Sequence, residues 1–142
     1  MKQLRLTAAL IGALASCNGD GAVGPDVLIG NYRATEFKIV RSGQADVDVL
    51  GLGGSVQLEL RVGLTTAGRL VIPVAAGLSA TPIDENLVGL YQVSGAQVIR
   101  YQASDRNVFI DSYLFTSDPP ELRALVSLGQ PAGQISLILR KQ

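Results

Sequence analysis

From Leu28 onward the chain alternates apolar and polar residues with a period of two, and this alternation constrains its fold more than any other feature. In residues 56–62 (VQLELRV) four aliphatic side chains fall on one face, and Gln, Glu and Arg fall on the other. Residues 121–128 (ELRALVSL) and 134–140 (QISLILR) alternate in the same way. Alternation with this period is typical of β-strands that bury one face. The sequence therefore predicts an all-β domain.

Turn signals rich in glycine, proline and aspartate divide this region into eight strand candidates. They lie at 28–40, 56–62, 69–74, 87–93, 96–103, 107–116, 122–128 and 134–140. Short strands that are joined by tight turns, without crossover helices, pair antiparallel. We therefore expect an eight-stranded antiparallel up-and-down β-barrel, with a two-sheet β-sandwich as the alternative. The segments 41–53 and 75–86 are long enough to cover the mouth of such a barrel.

The N-terminal segment has the composition of a secretory signal. Lys2 and Arg5 make its start basic, residues 6–15 form an apolar run of ten, and small residues lead into Cys17. Ten apolar residues are too few for a helix that spans a bilayer. The glycine-rich stretch that follows (NGDG, residues 18–21) is typical of a flexible tether. The sequence therefore predicts an exported protein.

Residues 14–17 (Leu-Ala-Ser-Cys) resemble the lipobox of bacterial lipoproteins. This resemblance implies that the Cys17 thiol takes a diacylglycerol group, that the signal is cleaved before Cys17, and that the new amino terminus is acylated. One acyl chain holds a protein weakly on a membrane, whereas two or three hold it stably, since each buried methylene contributes about 0.8 kcal/mol. We therefore expect the lipid bilayer to be a partner of this chain through Cys17.

The lipobox resemblance divides the chain into three parts. Residues 1–16 are the expected signal peptide, 17–27 the lipidated N-terminus with its tether, and 28–142 the β-barrel domain. The residue after the acylated cysteine is Asn18 and not aspartate. In the lipoprotein pattern, a residue other than aspartate at this position implies localisation to the outer membrane if the host is Gram-negative.

The residue inventory excludes most catalytic chemistry. The chain has no histidine, which removes the usual general base, the usual zinc ligand and the Ser-His-Asp arrangement. Its only cysteine is the predicted lipidation site. With 12 basic and 12 acidic residues and no basic cluster, the chain also lacks an electrostatic footprint for nucleic acid. We expect no enzymatic activity, no cofactor and no metal site.

Gly30-Asn31-Tyr32, at the start of the first predicted strand, is similar to the G-x-W signature of lipocalins and their calycin relatives. The resemblance implies a lipocalin-like barrel in which Gly30 and Tyr32 lie at the closed end. It also implies that Arg140, near the end of the last strand, packs over Tyr32. Such a cation–π contact contributes about 0.5–2 kcal/mol. A further implication is that the barrel binds a small apolar or amphipathic molecule.

Four tyrosines in strand candidates are the tentative ligand-binding residues of the barrel interior: Tyr32, Tyr91, Tyr101 and Tyr113. In an open barrel, inward aromatic side chains line the pocket and tyrosine hydroxyls orient a ligand. In a filled barrel of eight strands, the same side chains are core. Two functions therefore stay open. One is a membrane-anchored, non-catalytic binding module for a small apolar ligand, and the other is a structural or interaction protein of the cell envelope with a filled barrel.

Two five-residue segments share the pattern L-aliphatic-G-x-Y. They lie at 28–32 (LIGNY) and 87–91 (LVGLY). A duplicated half-barrel would produce this similarity. Two strands that each need a glycine at a bend and an inward aromatic residue two positions later would produce it as well.

Overall fold

The computed structural model describes residues 25–95, 97–102, 112–117, 120–128 and 133–142, and this part of the chain is all-β. One four-residue helix precedes ten strands. The elements are α1 (Pro25–Leu28), β1 (Gly30–Val40), β2 (Val47–Asp48), β3 (Ser55–Arg61), β4 (Thr65–Ile72), β5 (Ile83–Asn86), β6 (Gly89–Ser94), β7 (Gln97–Gln102), β8 (Ser112–Ser117), β9 (Pro120–Leu128) and β10 (Gly133–Lys141). Each predicted strand has a counterpart, whereas α1, β2 and β5 are additional.

All ten strands belong to one antiparallel sheet that curls into a half-barrel. Its order is β10-β9-β8-β7-β6-β4-β3-β1-β2, β5 pairs with β4, and β10 also pairs with β1. The prediction of an antiparallel all-β domain is therefore confirmed. The two separate sheets of a sandwich are not what the described residues form, because every strand among them lies in the same sheet.

Strand β1 organises the sheet because it pairs with three others. Residues 30–33 pair with β3, residues 38 and 39 pair with β2, and residues 32–40 pair with β10. The register with β10 shifts between Ala34 and Glu36. An irregularity of this kind increases the local bend and twist of a strand. β1 can therefore follow the curvature of the sheet over its whole length.

The concave side of the sheet is a continuous apolar core. In β3, for example, Val56, Leu58 and Leu60 are buried while Gln57 and Glu59 alternate with them, as the period of two predicts. The buried apolar residues are Leu28, Tyr32, Phe37, Ile39, Val49, Val56, Leu58, Leu60, Leu70, Ile72, Ala76, Leu87, Tyr91, Val98, Leu122, Ala124, Ile135, Leu137 and Leu139. Burying each large side chain contributes about 1.5–3 kcal/mol.

Two loops cover the end of the core that lies farthest from α1. Val49, in the loop after β2, is fully buried, and its backbone amide donates a 2.9 Å hydrogen bond to the carbonyl of Phe37. The 3-10 turn at Val74–Ala76 buries Ala76. Arg41, at the start of the loop between β1 and β2, donates from its Nη2 to the carbonyl oxygen of Gly77 at 3.0 Å. Both loops therefore close over the core.

Candidate functional site

The end of the sheet next to α1 is organised around Tyr32. Its side chain is buried, and its hydroxyl donates a 2.7 Å hydrogen bond to the carbonyl oxygen of Leu28, the last residue of α1. Burial raises the pKa of Tyr32 to about 12, and the nearby Tyr91 adds to this effect. The hydrogen bond holds α1 against the core, and Leu28 is itself fully buried. Gly30 and Tyr32 therefore lie at the α1 end of the sheet.

The cation on the same side as Tyr32 is Lys141 and not the expected Arg140. The β1–β10 register sets Tyr32 opposite Lys141, and Arg33 opposite Arg140. Because neighbouring residues of a strand point to opposite faces, Arg140 faces away from Tyr32. Lys141 passes close to Gly30 and donates from Nζ to the carbonyl oxygen of Val27 at 2.9 Å. The structure therefore does not bring the expected pair Tyr32 and Arg140 together.

Arg140 belongs to an ion cluster on the outer face of the sheet. Its Nε donates to Glu121 Oε2 at 2.9 Å, and Arg123 Nε donates to Glu121 Oε1 at 2.6 Å. Burial of the Glu121 carboxylate works against its ionisation, but the hydrogen bonds from Arg140 and Arg123 outweigh burial and hold its pKa below the ordinary value. This cluster fastens β9 to β10, and nothing in its geometry presents a reactive group to a substrate.

The second tyrosine of the repeated pattern lies at the same end of the sheet. Tyr91 is buried, its backbone amide donates to the carbonyl of Leu64 at 2.8 Å, and its hydroxyl donates to the carbonyl of Arg61 at 3.4 Å. Burial, followed by the carboxylate of Asp26, raises the pKa of Tyr91. Both copies of the repeated pattern therefore end in a buried tyrosine that bonds to backbone at the α1 end.

The tentative ligand-binding tyrosines divide into two groups. Tyr32 and Tyr91 lie in the core, and each directs its hydroxyl to a backbone carbonyl. Tyr101 lies in β7 and Tyr113 in β8, but their side chains are outside what the structure describes. Cys17 also lies outside the described residues. The ligand-binding role of Tyr101 and Tyr113 and the lipidation of Cys17 therefore stay predictions.

Two grooves of about 280 Å³ each open on the surface of the described sheet. The first has a mixed polar and apolar lining of Asn31, Tyr32, Arg33, Gln57, Leu58, Glu59, Gly68 and Gln142. The second crosses β8, β9 and β10 and exposes Leu114 and Leu125 beside Glu36 and Arg123. Each groove also reaches core side chains, which are Tyr32 and Leu58 in the first groove and Ala124 and Leu137 in the second. Sequence reasoning did not anticipate the second groove, although Leu125 occupies a polar position in the alternation of β9.

Among the described residues, no cluster of three or more His, Cys, Asp or Glu side chains is arranged to hold a metal ion. The part of the chain that the structure covers also contains no helix with the length and apolar character needed to cross a membrane. Comparisons of the chain with protein-family models, with curated proteins and with solved structures return no match.

Proposed function

We propose that this chain is an exported lipoprotein that acylated Cys17 anchors to a membrane, and that its β-domain is a filled, non-catalytic interaction module of the cell envelope. The observation that carries the anchor is the lipobox-like segment at residues 14–17, which ends in the only cysteine of the chain. A basic and apolar segment precedes it, and a glycine-rich stretch joins it to the domain. This order is the one that a tethered lipoprotein requires.

We also propose that the curled sheet is a closed, lipocalin-like barrel of eight strands. Strand β1 supports this proposal, because it pairs with β3 on one side and with β10 on the other. The remaining pairings join β3 to β4, β4 to β6, and β6 through β7, β8 and β9 to β10. Their registers are staggered from strand to strand, as closure with tilted strands requires.

The contacts of the interior favour a filled barrel over a ligand chamber. Tyr32 and Tyr91 are both buried, and their hydroxyls are already bonded to the backbone carbonyls of Leu28 and Arg61. A hydroxyl that orients a ligand has to direct its hydrogen bond into a cavity. At the other end, Val49 and Ala76 are buried beneath their loops. The described side chains therefore act as core, and the outer surface is left for interaction.

A second candidate function is the binding of a small amphipathic molecule on the outer face. The groove across β8, β9 and β10 favours it, because the exposed Leu114 and Leu125 lie there beside Glu36 and Arg123. Its volume of about 280 Å³ is near the lower end of small-molecule sites. This candidate differs from the interior site that the sequence predicts, because the ligand would lie outside the sheet.

Metabolic labelling with a palmitate analogue tests the anchor in cells that express the full chain. We expect the wild type to be labelled and Cys17→Ala to be unlabelled. A Cys17→Ala chain that is labelled as strongly as the wild type would contradict the proposal, because the acyl group would then be elsewhere. Fractionation of the same cells provides the second readout, since the labelled wild type must sediment with membranes.

A further inference from the structure

The α1 end of the domain exposes a group of aliphatic side chains, which we call the apolar rim. It consists of Val27, Val62, Leu64, Val88 and Leu90. Val62 lies at the tip of the β3–β4 hairpin and is 80% exposed, which is the highest value among the exposed large hydrophobic residues of the described chain. Scattered single apolar residues on a surface need no explanation, but a local group does.

Hydrogen bonds show that four members of the rim are neighbours. The amide of Tyr91 donates to the carbonyl of Leu64, and the hydroxyl of Tyr91 donates to the carbonyl of Arg61, next to Val62. Leu90 is paired with Thr65, the residue after Leu64. The hydroxyl of Thr66 donates to the carbonyl of Leu87, next to Val88, at 2.8 Å. The hairpin tip and the start of β6 therefore lie side by side, and each exposes apolar side chains.

Leu64 occupies a backbone conformation that disfavours leucine. Its φ is +60°, and among the described residues other than glycine it is the one with a positive φ. Glycine or asparagine adopts this left-handed conformation with less strain. Leu64 is also 43% exposed, so core packing does not account for the leucine. A strained residue that displays an apolar side chain indicates a functional surface.

The predicted tether places this end of the domain nearest to the membrane. Eight residue steps separate Cys17 from Pro25, so the chain between them spans at most about 29 Å. Helix α1 begins at Pro25, and the adjacent β1 pairs with the last residues of β3, next to the hairpin tip. The opposite end of β3 is seven residues away, or roughly 23 Å. A short tether therefore keeps the apolar rim at high local concentration beside the bilayer.

We infer that the apolar rim docks onto the lipid bilayer to which Cys17 is anchored, with the β3–β4 hairpin tip inserted at the headgroup boundary. This inference rests on the proposed acylation of Cys17. Apolar side chains that lie in the interface are buried about 5–10 Å into the headgroup and acyl boundary. The docked domain holds its loop-covered end and its outer groove away from the membrane, where another envelope component can reach them.

A fluorescent label at the hairpin tip tests the docking in the full, lipidated chain. Because acylation consumes the Cys17 thiol, Val62→Cys provides a single reactive cysteine for an NBD label. The protein is purified from membranes and reconstituted in phosphatidylcholine–phosphatidylglycerol vesicles with or without brominated acyl chains. Leu52→Cys is the matched control, because Leu52 is 43% exposed and lies before the other end of β3.

We expect brominated lipid to quench the label at position 62 by more than about twofold and to leave the label at position 52 unchanged, given the insertion depth of interfacial side chains. Adding Leu64→Asp to the Val62→Cys protein should abolish this quenching, whereas adding Leu125→Asp should not. If brominated lipid quenches both labels equally, or quenches neither, in a protein that floats with the vesicles, the docking would be overturned while the anchor would stay intact. A protein that lacks acyl chains by intact mass would overturn both. If the label at position 62 is shielded from water in cells but not in vesicles, the apolar rim binds a protein partner, and the lipid docking is overturned.

Discussion

The hydroxyl of Tyr32 donates a 2.7 Å hydrogen bond to the carbonyl oxygen of Leu28, four residues earlier in the chain. This bond joins β1 to α1 at the end of the sheet from which the predicted tether leaves. It also leaves the buried hydroxyl without a free donor for a ligand. The same contact therefore bears on the closure of the domain and on its proposed function.

Tyr32→Phe should lower the free energy of unfolding by about 1 kcal/mol at neutral pH, because it removes this hydrogen bond and leaves the Leu28 carbonyl without it. Urea denaturation measures the change. Tyr91→Phe is the matched control, and its loss should be smaller because the Tyr91 bond to the Arg61 carbonyl is 3.4 Å long. A larger loss for Tyr91→Phe than for Tyr32→Phe would contradict the ranking of the two contacts.

The raised pKa of Tyr32 predicts a loss of stability at alkaline pH. The folded protein holds the phenol neutral up to a pKa of about 12, whereas the unfolded chain ionises it near its ordinary value of 10. The stabilisation is therefore fully present below pH 10 and is lost as the pH rises toward 12. Urea denaturation of wild type and Tyr32→Phe across this window should show a steeper decline for the wild type. Parallel declines would contradict the burial of the ionisable group.

Gly68→Ala should prevent folding, or should lower the free energy of unfolding several times more than Gly53→Ala does. Gly68 has a φ of +136°, and a Cβ there would collide with the carbonyl oxygen of Gln57 on the neighbouring strand. Gly53 also has a positive φ, of +88°, but a Cβ there would meet nothing within 4 Å. Its replacement should therefore cost only the backbone strain, roughly 1 kcal/mol. Thermal denaturation compares the two variants. Equal losses of stability would contradict the close approach of β3 and β4.

Leu58→Ala should lower the free energy of unfolding by about 2–5 kcal/mol if the interior is a packed core. Leu58 is 1% exposed, whereas Leu125 is 68% exposed, so Leu125→Ala is the control and should change stability by less than about 0.5 kcal/mol. Chemical denaturation measures both. A loss below about 1 kcal/mol for Leu58→Ala would favour an open chamber, because the wall of a solvent-filled cavity loses little packing on truncation.

Glu121→Gln should destabilise the protein by about 1–3 kcal/mol at neutral pH, since the carboxylate accepts hydrogen bonds from Arg123 and Arg140. Because the folded pKa of Glu121 lies below its ordinary value of 4.5, the contribution is present above that pH and is lost as the pH falls through the folded pKa. The difference between wild type and Glu121→Gln should therefore shrink in acid. If the difference in the free energy of unfolding between the two proteins is constant from pH 7 to pH 3, the charge of Glu121 does not contribute to stability.

The period-two alternation predicted the eight longer strands and most of their buried faces. Val62 is an exception in the predicted strand 56–62, because it lies just past the end of β3 and is 80% exposed. Leu58 in β3 and Leu137 in β10 are buried as predicted, because one face of each strand must leave water. Strands β2 and β5 have two and four residues, which is too short for alternation to reveal them. The four-residue α1 similarly shows no helical periodicity.

The residue opposite Tyr32 could not be predicted from the sequence, because a shift of one residue in the β1–β10 register changes it. Two adjacent cations, Arg140 and Lys141, end β10, and a shift of one position exchanges their faces. The shift between Ala34 and Glu36 fixes which of them lies opposite Tyr32. Nothing in the amino-acid pattern of β1 marks that irregularity. The apolar rim escaped prediction for a similar reason, since it joins residues of separate segments that only the strand pairing brings together.

Intact mass spectrometry of the protein extracted from membranes shows directly whether Cys17 is the acylated first residue of the mature chain. We expect a chain that begins at Cys17 and carries the added mass of a diacylglycerol group, with a further acyl group on its amino terminus. A soluble chain that begins at Met1 and carries a free thiol at position 17 would contradict it.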